Sequence, residues 1–198
     1  MSNSGTITTI IGPMFSGKTT EFIRLIDRKQ IAGKKCLIIK HGIDNRFDVD
    51  QDNNHITTHS KIKYQKCDIV YQTTLDNFDD IVGQYDVVGI EEGFFFTDIC
   101  KFCNDLANYG IDVIVATLDS SYKQELFEEI GNLIATSENV IKLSAICMQC
   151  KKMDASFTIR TIESNEKILV GGSDMYQSVC RNCLNIQRMT KLSNSIKK

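Results

Sequence analysis

The chain has 198 residues, of which 42% are hydrophobic and 24% are charged, values typical of a globular protein with one substantial domain or one domain and a small appendage. A formal net charge of −2 argues against a dedicated nucleic-acid-binding surface, and no apolar run is long enough to span a membrane. Neither a nucleic acid nor a membrane is therefore an expected partner.

The first predicted elements are a strand, a glycine-bounded loop and a helix. Residues 6–10, TITTI, favour a strand, and a helical pattern, KTTEFIRLIDRKQIA, begins at Lys18. The loop between them fits G-x-x-x-x-G-K-[ST], which in this context favours a phosphate-binding loop over an ordinary glycine turn. Lys18 is expected to reach the β- and γ-phosphates of ATP, and the Thr19 hydroxyl is expected to bind Mg²⁺. The predicted loop residues are Gly12, Pro13, Met14, Phe15, Ser16, Gly17, Lys18 and Thr19.

Apolar runs and helical patterns alternate along the following residues. Strands are predicted at 35–40, 85–92, 111–118 and 140–145, with helices at 97–110 and 121–134. The polar stretch 41–60 is expected to be a loop or short hairpin, with solvated histidines. This alternation predicts an α/β domain over residues 1–145, similar to P-loop NTPases, with a parallel sheet flanked by helices. Residues 146–190 are expected to form a small cysteine-rich domain, and residues 191–198 a flexible tail.

Two adjacent acids, Glu91 and Glu92, end the strand VVGIEE. Ligands of open parallel sheets bind at the carboxyl ends of strands, and neighbouring strand residues point to opposite faces. One acid is therefore expected to reach the metal, and the other to act as a general base on a sugar hydroxyl. Asp44 and Arg46 follow an earlier strand; they could support Mg²⁺ and the transferring phosphoryl group, or be ordinary loop charges.

Eight cysteines in a chain with no visible secretory signal suggest a reducing, cytoplasmic location and a metal site rather than disulfides. Two Cys-x-x-Cys pairs near the C-terminus can bind Zn²⁺ with four thiolates, which leaves no open position for catalysis. A third pair, Cys100 and Cys103, lies at helical spacing and is expected to pack in the core. The predicted zinc ligands are Cys147, Cys150, Cys180 and Cys183.

The segment between the two zinc-binding pairs becomes a closed loop if zinc binds. Gly171 and Gly172 allow its backbone to lie close to a planar ligand. A zinc ribbon that contacts protein or nucleic acid is the alternative.

Five stretches in this order, GPMFSGKTTE, LIIK…DNR, GIEEGFFF, CMQC and GGSDMYQSVCRNC, resemble the type II thymidine kinases of cells and DNA viruses. The resemblance implies transfer of the ATP γ-phosphate to the 5′-hydroxyl of thymidine with Mg²⁺. It also implies Glu92 as the general base and Glu91 as the acid before it, near the cofactor. The catalytic roles of Lys18 and Arg46 and the place of Asp44 near the cofactor are expected from the motifs described above. A homotetramer, feedback inhibition by dTTP, and a zinc-tethered lasso that grips thymine through its main chain are implied as well.

The same resemblance implies a thymidine pocket formed by both domains. Its implied residues are Met14, Phe95, Leu118, Phe127, Thr158, Leu169, Gly171 and Tyr176. The chain departs from the family pattern in three places: Glu91 replaces the usual Asp, Phe94 replaces a polar residue, and KQELF lacks a basic-proline pattern.

Two other functions are compatible with the motifs. A zinc-ribbon P-loop ATPase acting on nucleic acid would show strongly salt-dependent binding. A nucleotide kinase with a zinc lid would need several arginines for a second set of phosphates, whereas the segment between the cysteine pairs contains only Arg160.

Overall fold

The computed structural model describes residues 4–43, 56–57, 63–64, 66–76, 78–164, 166 and 169–196. The strands are β1 (Ile7–Ile11), β2 (Cys36–His41), β3 (Ile56–Thr57), β4 (Lys63–Tyr64), β5 (Asp68–Gln72), β6 (Val87–Glu91), β7 (Asp112–Thr117), β8 (Asn139–Lys142), β9 (Ala145–Ile146), β10 (Asp154–Ala155), β11 (Phe157–Arg160) and β12 (Tyr176–Val179). The helices are α1 (Lys18–Ile31), α2 (Phe78–Ile81), α3 (Ile99–Asn108), α4 (Glu128–Thr136) and α5 (Arg181–Ile196), with a 3-10 turn at Gly93–Phe95.

A six-stranded sheet in the order β5-β2-β6-β7-β1-β8 forms the centre of the fold, and all its described pairings are parallel. Its four inner strands are largely buried because helices cover both faces of the sheet. Phe22 and Ile26 of α1 pack on one face, and α3 and α4 cover the other. Gly89 of β6 lets α1 approach, since a Cβ there would lie 2.6 Å from the Phe22 ring. The predicted α/β sheet flanked by helices is confirmed.

Several predicted elements have different bounds in the structure. The helix predicted at 121–134 begins only at Glu128, because Gln124 has φ +63°, which a right-handed helix cannot contain. The strand predicted at 140–145 is split between β8 and β9, which belong to different sheets. The edge strand β5 was not predicted, since its residues are largely half-buried and lack a clear apolar run.

The residues after β8 form two small antiparallel sheets, β9 with β10 and β11 with β12, followed by α5. We call residues 146–190 the lasso domain, and residues 161–175, between β11 and β12, the lasso loop. Helix α5 continues to Ile196 and so includes most of the predicted tail. The division at residue 145 stays a prediction. In the described part of the chain, no helix combines the length and apolar character needed to cross a membrane.

Candidate active site

The predicted phosphate loop joins β1 to α1, and its backbone has conformations that favour glycine at both ends. Gly17 precedes α1 with φ +84°. A Cβ on Gly12 would lie 2.5 Å from the Leu143 carbonyl oxygen and 2.9 Å from Ser16 Oγ, so only glycine fits. Lys18 reaches back across the loop, where its Nζ donates to the Pro13 carbonyl over 2.8 Å.

These loop residues fit a bound phosphate chain. Glu21 donates the first helical hydrogen bond of α1, to the Gly17 carbonyl, so the preceding amides of the first turn have no acceptor within the helix. Ser16 Oγ is buried and has no hydrogen-bond partner among the residues that the structure describes. Amides without an acceptor inside the helix, at its positive end and beside a hydroxyl with no partner among the described residues, are suited to bind an anion.

A single cavity of about 460 Å³ contacts the phosphate loop, the acids after β6 and the lasso loop. It brings together most of the site residues expected from the sequence: Met14, Phe15, Ser16, Gly17, Lys18, Thr19, Glu91, Glu92, Phe95, Leu118, Phe127, Thr158, Leu169, Gly171 and Tyr176. Gly12 and Pro13 shape the loop behind this lining. Asp44 and Arg46 lie outside the described residues, so their predicted roles stay predictions.

The two acids differ in backbone conformation, although both line the cavity. Glu91 is the last residue of β6, is 5% exposed and pairs with Ala116 of β7, which packs in the core beneath α1. Its side chain therefore projects on the face of the sheet that α1 covers. Thr19 lies at the start of α1, on the same face. Glu92 lies beyond the strand with φ +51° and precedes the 3-10 turn. The carboxylate of Glu91 and the hydroxyl of Thr19 are the kind of oxygen ligands that Mg²⁺ prefers.

Aromatic rings form the apolar part of the cavity wall. Phe94 lies between Phe95 and Phe127, with ring centroids 4.2 Å and 5.2 Å away. Phe96, the third phenylalanine of the run, is buried in the core. His41 packs on Phe95 and Phe96 at 5.2 Å and 4.8 Å and is only 5% exposed, so its predicted solvation is wrong.

Lys40 also lines the cavity, although it belongs to none of the motifs with a predicted role. It is the penultimate residue of β2 and follows Ile39, which pairs with Ile90 of β6. It is 4% exposed, and its Nζ lies 3.5 Å from the Tyr71 hydroxyl of β5. A lysine directly after the apolar run LII was the available signal. Lys40 adds a second cation to the lining of a cavity that already includes Lys18. A buried ammonium needs compensating negative groups.

A hydrogen bond connects the phosphate loop to the lasso domain. The backbone N–H of Met14 donates to Thr158 Oγ1 over 2.9 Å, and Thr158 is only 6% exposed. The phosphate loop and β11, both of which line the cavity, are therefore in direct contact.

The four predicted zinc ligands lie together, with all four sulfur atoms within 4.8 Å of one another. Tetrahedral Zn²⁺ with bonds of 2.3 Å places thiolate sulfurs about 3.8 Å apart, so the cluster fits this ion. Burial raises the pKa of the Cys147 thiol, but hydrogen bonds from the backbone N–H groups of Cys150 and Cys180, among others, outweigh it and lower the pKa to about 6. At Cys147 the surroundings thus favour the thiolate form that a metal requires, whereas burial raises the pKa of the Cys183 thiol to about 12.

Comparison with known proteins supports one family. The thymidine kinase family model matches residues 5–184. A thymidine kinase of Acanthamoeba polyphaga mimivirus is 66% identical over 92% of this chain and 83% of its own length. Thymidine kinase 1 of Dictyostelium discoideum is 44% identical, over 92% and 78% respectively. A vaccinia virus thymidine kinase is 46% identical, over 91% and 97%.

Proposed function

This chain belongs to the thymidine kinase family, and we propose that it transfers the γ-phosphate of ATP to the 5′-hydroxyl of thymidine. The observation that carries the proposal is one cavity whose walls contain a phosphate loop, an adjacent pair of glutamates and an aromatic pocket closed by the lasso loop. Phosphoryl transfer needs both substrates in line, and a shared cavity permits that arrangement.

The phosphate loop positions the ATP end of the reaction. Amides at the start of α1, which have no acceptor within the helix, and the Ser16 hydroxyl bind phosphate oxygens. Lys18 exchanges its bond to the Pro13 carbonyl for the β- and γ-phosphates. Lys40 lies across the cavity on the α1 side of the sheet and supplies further positive charge.

Thr19 and Glu91 are the groups that would hold Mg²⁺ in this proposal. The ion supplies neutralisation of the charge that develops on the phosphate oxygens. The side chain of Glu91 is one methylene longer than that of the Asp usual in the family. This length suits a water-mediated contact with Mg²⁺ as well as a direct one.

Glu92 acts as the general base. Glu92 has a left-handed backbone conformation and lies outside the strand. It lines the cavity together with the phosphate loop and Phe95. A carboxylate within hydrogen-bond reach of a sugar hydroxyl accepts the proton as the new O–P bond forms. The 5′-hydroxyl thus loses its proton next to the γ-phosphate.

The thymine ring is expected to stack on Phe95 and to be enclosed by the main chain of the lasso loop. Leu169, Gly171 and Tyr176 line the same cavity as Phe95. A base held by main-chain groups leaves little trace in side-chain identity, so thymidine as the preferred nucleoside rests on the family.

A panel of nucleosides tests the proposal. Purified protein is incubated with γ-labelled ATP, Mg²⁺ and thymidine, deoxyuridine, deoxycytidine or deoxyadenosine, and labelled monophosphate is measured. We expect strong labelling of thymidine. The variant Lys18→Ala should abolish labelling, whereas Lys101→Ala, at an exposed lysine of α3, should not. If no nucleoside is labelled and DNA instead stimulates ATP hydrolysis, the nucleic-acid ATPase hypothesis replaces this one.

Further properties extend the proposal from the family resemblance. We infer a homotetramer, inhibition by dTTP at the thymidine site and a cytoplasmic location, with Zn²⁺ as a structural ion of the lasso domain. Light scattering during size-exclusion chromatography measures the oligomeric state, and dTTP titration in the nucleoside assay measures the inhibition.

A further inference from the structure

A buried arginine supports the lasso loop from behind. Arg160 is the last residue of β11 and is only 5% exposed. Within the described residues, no carboxylate lies within ion-pair distance of its guanidinium. Because a buried cation without a counter-ion is costly, other groups must compensate its charge.

Main-chain carbonyls of the lasso loop provide much of this compensation. One terminal nitrogen of Arg160 donates to the Glu166 carbonyl over 2.7 Å and to the Ser164 carbonyl over 3.3 Å. The other donates to the Tyr176 hydroxyl over 2.9 Å, and that hydroxyl in turn donates to the Leu169 carbonyl over 2.7 Å. One guanidinium thus holds three loop carbonyls, two directly and one through a tyrosine.

Two tyrosine rings add to the compensation and connect the loop to the parallel-sheet domain. The Arg160 guanidinium carbon lies 3.9 Å from the Tyr122 ring centroid and 5.3 Å from that of Tyr176. Tyr122 follows β7 and donates its hydroxyl to the Ser164 carbonyl over 3.2 Å. Cation–ring attraction is strongest where water is excluded, as it is at this arginine.

The position of this cluster matters because its outer members line the cavity. Tyr122, Leu169 and Tyr176 contact the cavity, whereas Arg160 is not among its lining residues. A change at Arg160 therefore acts on a bound nucleoside only through the loop that the arginine supports.

We propose that Arg160 is a positioning residue that holds the lasso loop against Tyr122 and thereby sets the affinity for the nucleoside. The proposal rests on the function proposed above. Arginine suits this role because its planar fork directs several donors in one plane while its face stacks on a ring, which lysine cannot do. A loop fixed before the nucleoside binds loses less conformational entropy on binding.

The test compares Arg160→Met and Arg160→Lys with a matched control. Arg181→Met alters another, exposed arginine of the lasso domain, whose guanidinium carbon lies 4.7 Å from the Phe157 ring centroid. Among the described residues, Arg181 makes no hydrogen bond to the lasso loop. Thymidine Kd is measured by calorimetry, KM for both substrates by steady-state kinetics, and zinc content by metal analysis. Tyr122→Phe provides a milder perturbation that removes only one hydroxyl.

We expect Arg160→Met to raise thymidine Kd and KM about ten- to hundredfold, since hydrogen bonds to a charged donor are lost. Arg160→Lys should fall between this variant and the wild type, and Tyr122→Phe should raise Kd by a few fold. Zinc content, KM for ATP and the Arg181→Met control should stay close to wild type. An unchanged thymidine Kd in Arg160→Met would overturn the proposal, and so would loss of zinc and ATP affinity together with thymidine affinity.

Hydrogen exchange separates this proposal from the proposed function. Amides of residues 161–175 should exchange faster in Arg160→Met than in wild type or Arg181→Met, whichever nucleoside the protein binds. If the wild type does not phosphorylate thymidine but this difference is observed, the proposed function fails and the support of the loop by Arg160 stands. Equal exchange in all three proteins would refute the support itself.

Discussion

Replacing Thr158 with valine removes one hydroxyl from the contact between the phosphate loop and the lasso domain. Its Oγ1 accepts the backbone N–H of Met14 over 2.9 Å, and valine has nearly the same shape without an acceptor. A buried donor without a partner costs about 1–3 kcal/mol. Because Met14 is only partly buried, we expect about 1–2 kcal/mol. That loss lowers the Tm by about 2–8 °C in a chain of this size.

The same substitution should weaken ATP binding, although Thr158 lies in β11 and not in the phosphate loop. Without the bond, ATP has to order the backbone at Met14, so its affinity should fall about 5- to 30-fold. The assay is calorimetry with a non-hydrolysable ATP analogue in the absence of thymidine. Two control variants accompany it. Thr158→Ser keeps the acceptor for the Met14 N–H, and Thr161→Val removes a different hydroxyl, which donates to the Asp174 carbonyl over 3.2 Å. Equal ATP affinity in Thr158→Val and Thr158→Ser would refute the reasoning.

Three further predictions concern the base, the zinc cluster and acid stability. Glu92→Gln should lower kcat about 10²–10⁴-fold and leave thymidine affinity nearly unchanged; near-normal turnover would exclude this base. Cys180→Ser should lose zinc and lower the Tm, which metal analysis and melting curves measure; full zinc content would place the metal elsewhere. Burial raises the pKa of Asp112, but hydrogen bonds from Lys29 and Thr6 outweigh this effect, so the pKa is lowered overall. The ionised carboxylate therefore stabilises the folded protein above pH about 4, and this stabilisation is lost as the pH falls. Asp112→Asn should therefore destabilise the protein at pH 7 and show a smaller loss on acidification; identical pH profiles of unfolding would contradict this.

The parts of the site that the sequence could predict depend on local spacing. The loop from Gly12 to Thr19 has its conformation determined by two glycines and the helix that follows, all within a few residues. The two Cys-x-x-Cys pairs likewise carry their ligand geometry in their own turns, and the distance between the pairs matters little. Glu91 and Glu92 were identifiable because a strand end is marked by the change from apolar to acidic residues.

Other parts depended on contacts between distant segments. Lys40 is buried because β2 lies between β5 and β6, and strand order is not visible in the residues around position 40. Arg160 depends on carbonyls of the lasso loop and on Tyr122, which is distant in sequence. The late start of α4, at Glu128 instead of residue 121, has a similar cause. Gln124 donates to the Tyr122 and Thr158 carbonyls and adopts a left-handed backbone conformation that no helical pattern reveals.

The arrangement of both substrates around Glu92 is the central claim. A crystal structure with thymidine and a non-hydrolysable ATP analogue tests it most directly. We predict the triphosphate on the loop from Gly12 to Thr19, the thymine beside Phe95, and the 5′-hydroxyl about 2.6–3.2 Å from the Glu92 carboxylate and facing the terminal phosphate. A nucleoside bound outside the cavity, or a terminal phosphate on the opposite side of the molecule from Glu92, would contradict the account.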